Sequence, residues 1–176
     1  MSEPAPPLPV KPVVSLILAR EDLGARVIKR LSEYLGPPDL AGPWWPFSET
    51  DYYTPEMGPD LGRRLVAFLH LADPERLPQW KVFTNLLEGE LSLGGRRLAN
   101  LDPGYLAKER LVLATGKNFS HRLYLSQGIY GDLTLMYSRG GFQALPWSYR
   151  DYAQEPARNF LQVVRQKYLW QLKTLA

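Results

Sequence analysis

A short segment in the second half of the chain, KNFSHRLYLSQGIY, carries several side chains suited to binding nucleic acid or phosphate. Lys117 and Arg122 can pair with phosphate oxygens, and Tyr124 and Tyr130 can stack on bases. The combination predicts a shallow platform for RNA or another phosphate-bearing ligand. The same residues are also typical of a solvated sheet face, where cross-strand pairs contribute about 0.2–1 kcal/mol each without any ligand. Both interpretations stay open at this point.

Two proline-stiffened segments supply an unusual number of aromatic side chains. Aromatic residues in stiff loops line ligand pockets or partner interfaces, and they also anchor long loops to a sheet. We therefore place Trp147, Tyr149 and Arg150 beside the platform as candidate ligand-binding residues. A protein-interaction module that uses these loops is an alternative function. The remaining aromatic residues of the two segments are Trp44, Trp45, Phe47, Tyr52, Tyr53 and Tyr152.

An acidic stretch that overlaps the first of these segments offers candidate metal ligands. Glu49, Asp51 and Glu56 lie close together in a stretch without Lys or Arg, and carboxylates are the ligands that Mg²⁺ and Ca²⁺ prefer. Their spacing matches no standard calcium loop, and a charged surface loop has the same composition. A metal-dependent enzyme acting on a phosphoester is therefore a second alternative, with a divalent cation as cofactor and Lys117 or Arg122 on the substrate.

Several standard catalytic motifs do not occur in the sequence. There is no GxxxxGK[ST] phosphate loop, no GxGxxG dinucleotide fingerprint, no GxSxG elbow and no cysteine. Of the two histidines, His121 falls on the apolar side of a predicted hairpin and is expected to be structural. Lys81, Asn85 and Glu88 share one stripe of a predicted helix, which is expected to be solvated. Whether the protein is an enzyme stays open.

Composition indicates one soluble globular domain. The chain has 176 residues, of which 45% are hydrophobic and 22% charged, close to globular averages. Residues 1–103 carry 11 Lys and Arg against 14 Asp and Glu, whereas residues 104–176 carry 10 against 4, and a basic half can attract an anionic partner. No apolar run approaches the roughly 18–20 residues that span a bilayer, so we expect a cytoplasmic protein without membrane contact.

The elements that must position these residues follow from hydrophobic periodicity. Residues 1–12 hold five prolines and are expected to form a flexible arm, and residues 13–176 a single α+β domain. The order predicts a mixed or antiparallel sheet with a ferredoxin-like core, a β-meander and a C-terminal helix. Residues 102–104 read as a turn, and 105–115 as either helix or strand. Strands are predicted at 13–19, 65–69, 97–101 and 142–145, and helices over 23–35, 74–91 and 160–172.

The hairpin over 121–135 can be read by register, because a slip of one residue reverses both faces. A three-residue loop, 126–128, pairs Arg122 with Asp132 and Tyr124 with Tyr130 on one face, which is expected to be solvated. The leucines on the other face, which is expected to pack on the core, are Leu123 and Leu125.

Five strings taken together resemble a bacterial family known as domain of unknown function 4416. The strings are SETDYYTPEMG, VFTNLLEGEL, NLDPGYL, LVLATGKNFSHRLYLSQGIYGDLTLMY and LPWSYRDY. The resemblance covers nearly the whole chain from about residue 11, and it implies a single-domain bacterial protein. It implies no activity, cofactor or catalytic residue.

Overall fold

The computed structural model describes residues 2–48, 50 and 52–175. Within these residues, nine strands form one antiparallel sheet with five helices around it, which confirms the α+β class, the single domain and the C-terminal helix. None of the helices described is long and apolar enough to cross a membrane. The strands are β1 Lys11–Leu18, β2 Pro38–Ala41, β3 Trp45–Pro46, β4 Gly62–Phe68, β5 Ala99–Leu106, β6 Arg110–Thr115, β7 Arg122–Ser126, β8 Ile129–Ser138 and β9 Gly141–Ala144. The helices are α1 Gly24–Leu35, α2 Thr54–Met57, α3 Leu77–Glu90, α4 Arg150–Ala153 and α5 Glu155–Leu175.

The strands follow the order β2-β4-β1-β5-β6-β8-β7, with β3 beside β4 and β9 beside β8. Apart from the short elements β3 and α2, the chain from β1 to β5 runs β-α-β-β-α-β. This is the element order of ferredoxin-like domains. The ferredoxin-like core itself remains a prediction.

One face of the sheet packs against α1 and α3. Leu16 and Leu18 alternate along β1 and are fully buried on this face, where they meet Leu31 of α1 and Trp80 of α3. Each helix carries an apolar stripe at helical spacing, and this stripe determines which side of the helix faces the sheet.

The opposite face is covered by α5 over only part of its area. Leu65 on β4 is buried in the cluster that holds Leu161 and Val164 of α5. Arg63 lies two residues earlier on the same strand and therefore on the same face, beyond the apolar cluster. Polar side chains and two loops cover the end of the sheet around Arg63.

The sheet splits between β5 and β6, which pair only at Gly104, Tyr105 and Leu106 within the described chain. Two side chains of α3 replace the missing strand at Leu101. Lys81 Nζ donates to the Leu101 carbonyl at 2.9 Å, and the Leu101 amide donates to Glu88 Oε1 at 2.6 Å. Backbone groups in the split are thus satisfied by a helix, as buried polar groups require.

One expectation for this region is wrong, and one alternative is resolved in favour of strand. Asp102, Pro103 and Gly104 lie inside β5 rather than in a turn. A Cβ at Gly104 would lie 2.4 Å from the Val112 carbonyl, so this glycine allows the close approach at which β5 joins β6. The ambiguous segment 105–115 consists of the end of β5 and the whole of β6, without helix.

The N-terminal boundary also differs from the expected one. Residues 2–8 are exposed, but Val10 is buried and bridges Ala72, and Lys11 already begins β1. The sheet therefore begins before residue 13.

The β7–β8 hairpin has the predicted pairing with a different turn. Arg122 opposes Asp132 and Tyr124 opposes Tyr130, as expected. The three-residue loop is wrong, because the register shift at Leu125 absorbs one residue. The turn consists of Gln127 and Gly128, whose φ angles of 55° and 74° suit a two-residue turn with both central residues left-handed.

Burial on the hairpin is opposite to the expectation at Leu123, Leu125 and Asp132, whereas Tyr124 is exposed as expected. Leu123 and Leu125 are 75% and 42% exposed, whereas Asp132 and Thr134 are 4% and 0% exposed. The reason is topological, because β7 is the last strand of the sheet and its leucines extend past the apolar core. The polar face is instead covered by the segment that carries Trp147 and Tyr149.

Candidate functional site

A cleft of about 750 Å³ lies at the end of the sheet that α5 leaves uncovered. Its floor comes from β4, β5 and the polar side of α3. Its walls come from residues 113–117, from residues 147–152, and from Phe47, Thr50, Tyr52 and Tyr53. Its aromatic lining residues are Phe47, Tyr52, Tyr53, Trp147, Tyr149 and Tyr152. Its charged lining residues, among those the structure describes, are Arg63, Lys81, Arg97, Lys117, Arg122, Arg150, Glu88, Asp102, Asp132 and Asp151.

The structure brings most of the predicted ligand-binding residues to this cleft. The tyrosine pair is the exception, because Tyr124 and Tyr130 do not line the cleft. Their rings contact each other edge-on at 5.4 Å on the hairpin, and Tyr124 is 62% exposed. The predicted residues that line the cleft are Lys117, Arg122, Trp147, Tyr149 and Arg150.

Arg122 joins the hairpin to both walls of the cleft. Its Nε donates to Asp132 Oδ2 at 2.8 Å, its Nη1 to the Lys117 carbonyl at 3.0 Å, and its Nη2 to Tyr149 Oη at 2.8 Å. Burial alone would lower the pKa of Arg122, but the hydrogen bond to Asp132 and the neighbouring Tyr149 raise it. Arg122 is therefore a positioning residue with most of its donors engaged.

His121 supports the same corner of the cleft. Its Nε2 lies 3.3 Å from Asp132 Oδ2, and its ring stacks on Trp147 at 5.2 Å. Trp147 Nε1 in turn donates to the Leu133 carbonyl at 2.8 Å. These contacts fit the structural role expected of His121, and they fix Trp147 in place.

The polar stripe of α3 belongs to a hydrogen-bonded network at the split in the sheet. The prediction that this stripe is solvated is therefore wrong for Lys81 and Glu88. Lys81 Nζ donates to Asp102 Oδ1 at 3.1 Å, and Asn100 Nδ2 donates to Asp102 Oδ2 at 2.7 Å. Arg97 donates to Asn100 Oδ1 and to Glu88 Oε2, the latter at 2.8 Å. The Lys81 and Glu88 side chains are only 8% and 11% exposed.

The two carboxylates of this network respond differently to burial. Burial raises the pKa of Glu88, and the charges of Lys81 and Arg97 do not fully offset it. Burial alone would also raise the pKa of Asp102, but the charge and hydrogen bond of Lys81 outweigh it and leave that pKa lowered. The network therefore holds Asp102 ionised.

Arg63 forms the deepest charged part of the cleft and is 1% exposed. Its Nη1 pairs with Asp151 of α4, and its guanidinium lies 4.2 Å from the Tyr152 ring centroid and 5.7 Å from that of Phe47. Arg63 Nε and Tyr152 Oη are buried without a hydrogen-bond partner among the described residues. Burial raises the pKa of Tyr152 to about 12, so its hydroxyl keeps its proton.

The metal hypothesis is not tested by the structure. Glu49 and Asp51 lie outside the described residues, and Glu56 pairs with Arg97 at 3.2 Å. Among the residues described, no three His, Cys, Asp or Glu side chains cluster in a way that could hold a metal ion.

Sequence reasoning missed Arg63, Asp102 and the network on α3. The signal available for α3 was the spacing of Lys81, Asn85 and Glu88, which places them on one side of a helix. For Arg63 the signal was a charged residue beside an interior strand. Neither signal distinguishes a solvated face from a polar cleft.

Comparison with known proteins identifies a family for the chain. The model of the family described as Domain of unknown function (DUF4416) matches residues 8–168, so the protein belongs to this family. No match was found among curated proteins or among solved structures.

Proposed function

We propose that the cleft binds a small phosphate-bearing molecule that contains a planar ring. The observation that carries the proposal is a cleft of about 750 Å³ with buried rings at its closed end and exposed cations at its rim. Binding pockets for small molecules have volumes of about 300–1,000 Å³, with apolar walls and a few polar groups.

The closed end of the cleft favours a planar ring. Phe47 and Tyr152 are 9% and 3% exposed there, with Arg63 between them. Aromatic faces and a guanidinium plane both stack on flat ligands. A flexible aliphatic ligand would gain less from these rigid surfaces.

The rim of the cleft supplies charge for a phosphate group. Lys117 and Arg150 line the cleft and are exposed, whereas Lys81 and Arg97 are engaged with carboxylates. Lys117 Nζ lies 4.6 Å from the Tyr52 ring centroid and donates to its hydroxyl. The Lys117 ammonium can therefore exchange a neutral partner for an anionic one.

A small ligand is favoured over RNA by the position of the tyrosine pair. A single-stranded chain needs several stacking platforms along one groove, and Tyr124 and Tyr130 stand outside the cleft that holds Lys117 and Arg122.

Isothermal titration calorimetry with IMP, GMP, UMP and inorganic phosphate tests the proposal. We expect at least one nucleotide to bind more tightly than inorganic phosphate, because only the nucleotide fills the aromatic end. We expect Lys117→Ala combined with Arg150→Ala to weaken that binding about tenfold or more, since two charge-assisted contacts are lost.

The matched control is Lys173→Ala combined with Arg158→Ala, which removes two exposed cations from α5. It should leave the affinity unchanged. Equal loss in both double variants would indicate nonspecific attraction to a basic protein, and no binding of any nucleotide would contradict the proposal. Tight binding of a single-stranded RNA with no nucleotide binding would favour the platform instead.

A further inference from the structure

We infer that the closed end of the cleft recognises an acceptor oxygen on the ligand's ring, through Arg63 Nε and Tyr152 Oη. The inference rests on the proposed function and adds the substrate class: a nucleotide with an oxo-substituted base is preferred over one with an amino-substituted base. The oxygen lies at the closed end and the phosphate at the rim.

The deep donors are the strongest sign of a ligand in this region. Arg63 and Tyr152 both line the cleft, are at most 3% exposed, and keep Nε and Oη without a protein acceptor. An unsatisfied buried polar group costs about 1–3 kcal/mol, and native structures contain few of them. Two such groups on neighbouring side chains at one end of a cleft therefore suggest a partner that the chain itself does not supply.

The chemistry of the two groups defines what the partner must be. An arginine Nε–H can only donate, and the Tyr152 hydroxyl remains protonated and able to donate because its pKa is about 12. The Ser15 hydroxyl and the Arg63 guanidinium both lie close enough to Tyr152 to lower its pKa by donating toward its oxygen, and neither accepts the proton of the Tyr152 hydroxyl. A carbonyl oxygen can accept from both donors, whereas an amino group would direct its hydrogens toward Arg63.

Charge favours a neutral acceptor at this end. The guanidinium of Arg63 is already paired with Asp151, so a second anion there would meet a neutralised arginine. The exposed Lys117 and Arg150 at the rim are better placed for the anionic part of the ligand. Both donor atoms are buried, so contact with the ligand requires a displacement of α4, the four-residue helix that carries Tyr152.

The test compares two nucleotides that differ along one edge of the ring. IMP carries a carbonyl oxygen and a ring N–H where AMP carries an amino group and an unprotonated ring nitrogen. We expect calorimetry to show IMP bound about tenfold or more tightly than AMP, since the mismatched ligand leaves Arg63 Nε unsatisfied.

The Tyr152→Phe variant tests the donor directly. The ring is retained and the removed hydroxyl has no protein acceptor, so the variant should fold with a stability close to that of the unchanged protein. We expect IMP binding to weaken about fivefold and AMP binding to change less than about twofold. The matched control is Tyr168→Phe, which removes the hydroxyl of another buried tyrosine from a residue that does not line the cleft. It should leave both affinities unchanged.

The outcomes separate the inference from the proposed function. Equal affinities for IMP and AMP, or IMP binding unaffected by Tyr152→Phe, would overturn the inference and leave the phosphate-binding cleft intact. If no nucleotide binds at all, the proposed function fails and the inference fails with it.

Discussion

Two of the buried charged clusters in the described part of the chain differ in their surroundings: one is packed shut, and the other is open to the cleft. In the first, Lys11 Nζ donates to Asp39 Oδ2 at 2.5 Å and to Gln171 Oε1 at 2.7 Å, and Lys167 pairs with the other Asp39 oxygen. The second is the network of Lys81 and its partners at the split in the sheet. We refer to them as the Lys11 cluster and the cleft network.

The difference between the two lies in what surrounds the charges. The Lys11 and Asp39 side chains are 0% and 4% exposed, and neither lines the cleft. Asp102 in the cleft network is 28% exposed, and donors deeper in the cleft lack protein acceptors. The same residue types therefore join strands to α5 in one place and leave polar groups facing the cleft in the other.

The largest effect is expected in the Lys11 cluster. Asp39→Ala should lower the free energy of unfolding by about 3–5 kcal/mol, because it leaves a buried ammonium unpaired. Urea unfolding measures the loss. The control is Asp22→Ala, whose exposed pair with Arg20 should contribute nothing measurable. A loss no larger than that of the control would contradict the conclusion that the Lys11 cluster is buried and stabilises the fold.

A smaller loss is expected from Lys81→Met in the cleft network. The substitution leaves Asp102 Oδ1 and the Leu101 carbonyl without the Lys81 donor, but water in the cleft can reach Asp102. We therefore expect the free energy of unfolding to fall by about 1–3 kcal/mol. The pKa of Asp102 should rise, because Lys81 holds it below its usual range. Urea unfolding and an NMR pH titration measure the two effects. A loss equal to that of Asp39→Ala would remove the distinction between the clusters.

The smallest effect is a pH dependence specific to the closed end of the cleft. Burial raises the pKa of Tyr152 to about 12, above its value of about 10 in an unfolded chain. Ionisation of Tyr152 therefore does not affect the free energy of unfolding below about pH 10. The free energy of unfolding falls as the pH rises from about 10 toward 12, because only the unfolded chain ionises readily there. Tyr152→Phe should flatten the dependence of stability on pH in this window relative to the unchanged protein. Identical slopes for the two proteins would contradict the burial of Tyr152.

The sequence predicts the frame of the fold well and the burial of its polar residues poorly. The periodic apolar stripes of α1 and α3 are sufficient to place both helices. The hairpin register follows from pairing Arg122 with Asp132, which local pattern can reveal.

What the sequence could not reveal depends on contacts between distant elements. A stripe such as Lys81 and Glu88 has the same pattern whether it faces water or fills a split in a sheet. Leu123 looks like a core residue because its strand alternates, yet its exposure follows from being on the last strand of the sheet. Arg63 becomes a candidate only when two loops close over its strand.

The position of bound IMP most directly tests the proposal that the cleft is the ligand-binding site. Two-dimensional ¹H–¹⁵N NMR during an IMP titration reports which backbone amides change environment. We expect shifts concentrated at Tyr53, Lys117 and residues 147–152, which line the cleft. Shifts confined to the hairpin around Tyr124 and Tyr130, or no shifts at high IMP concentration, would contradict it.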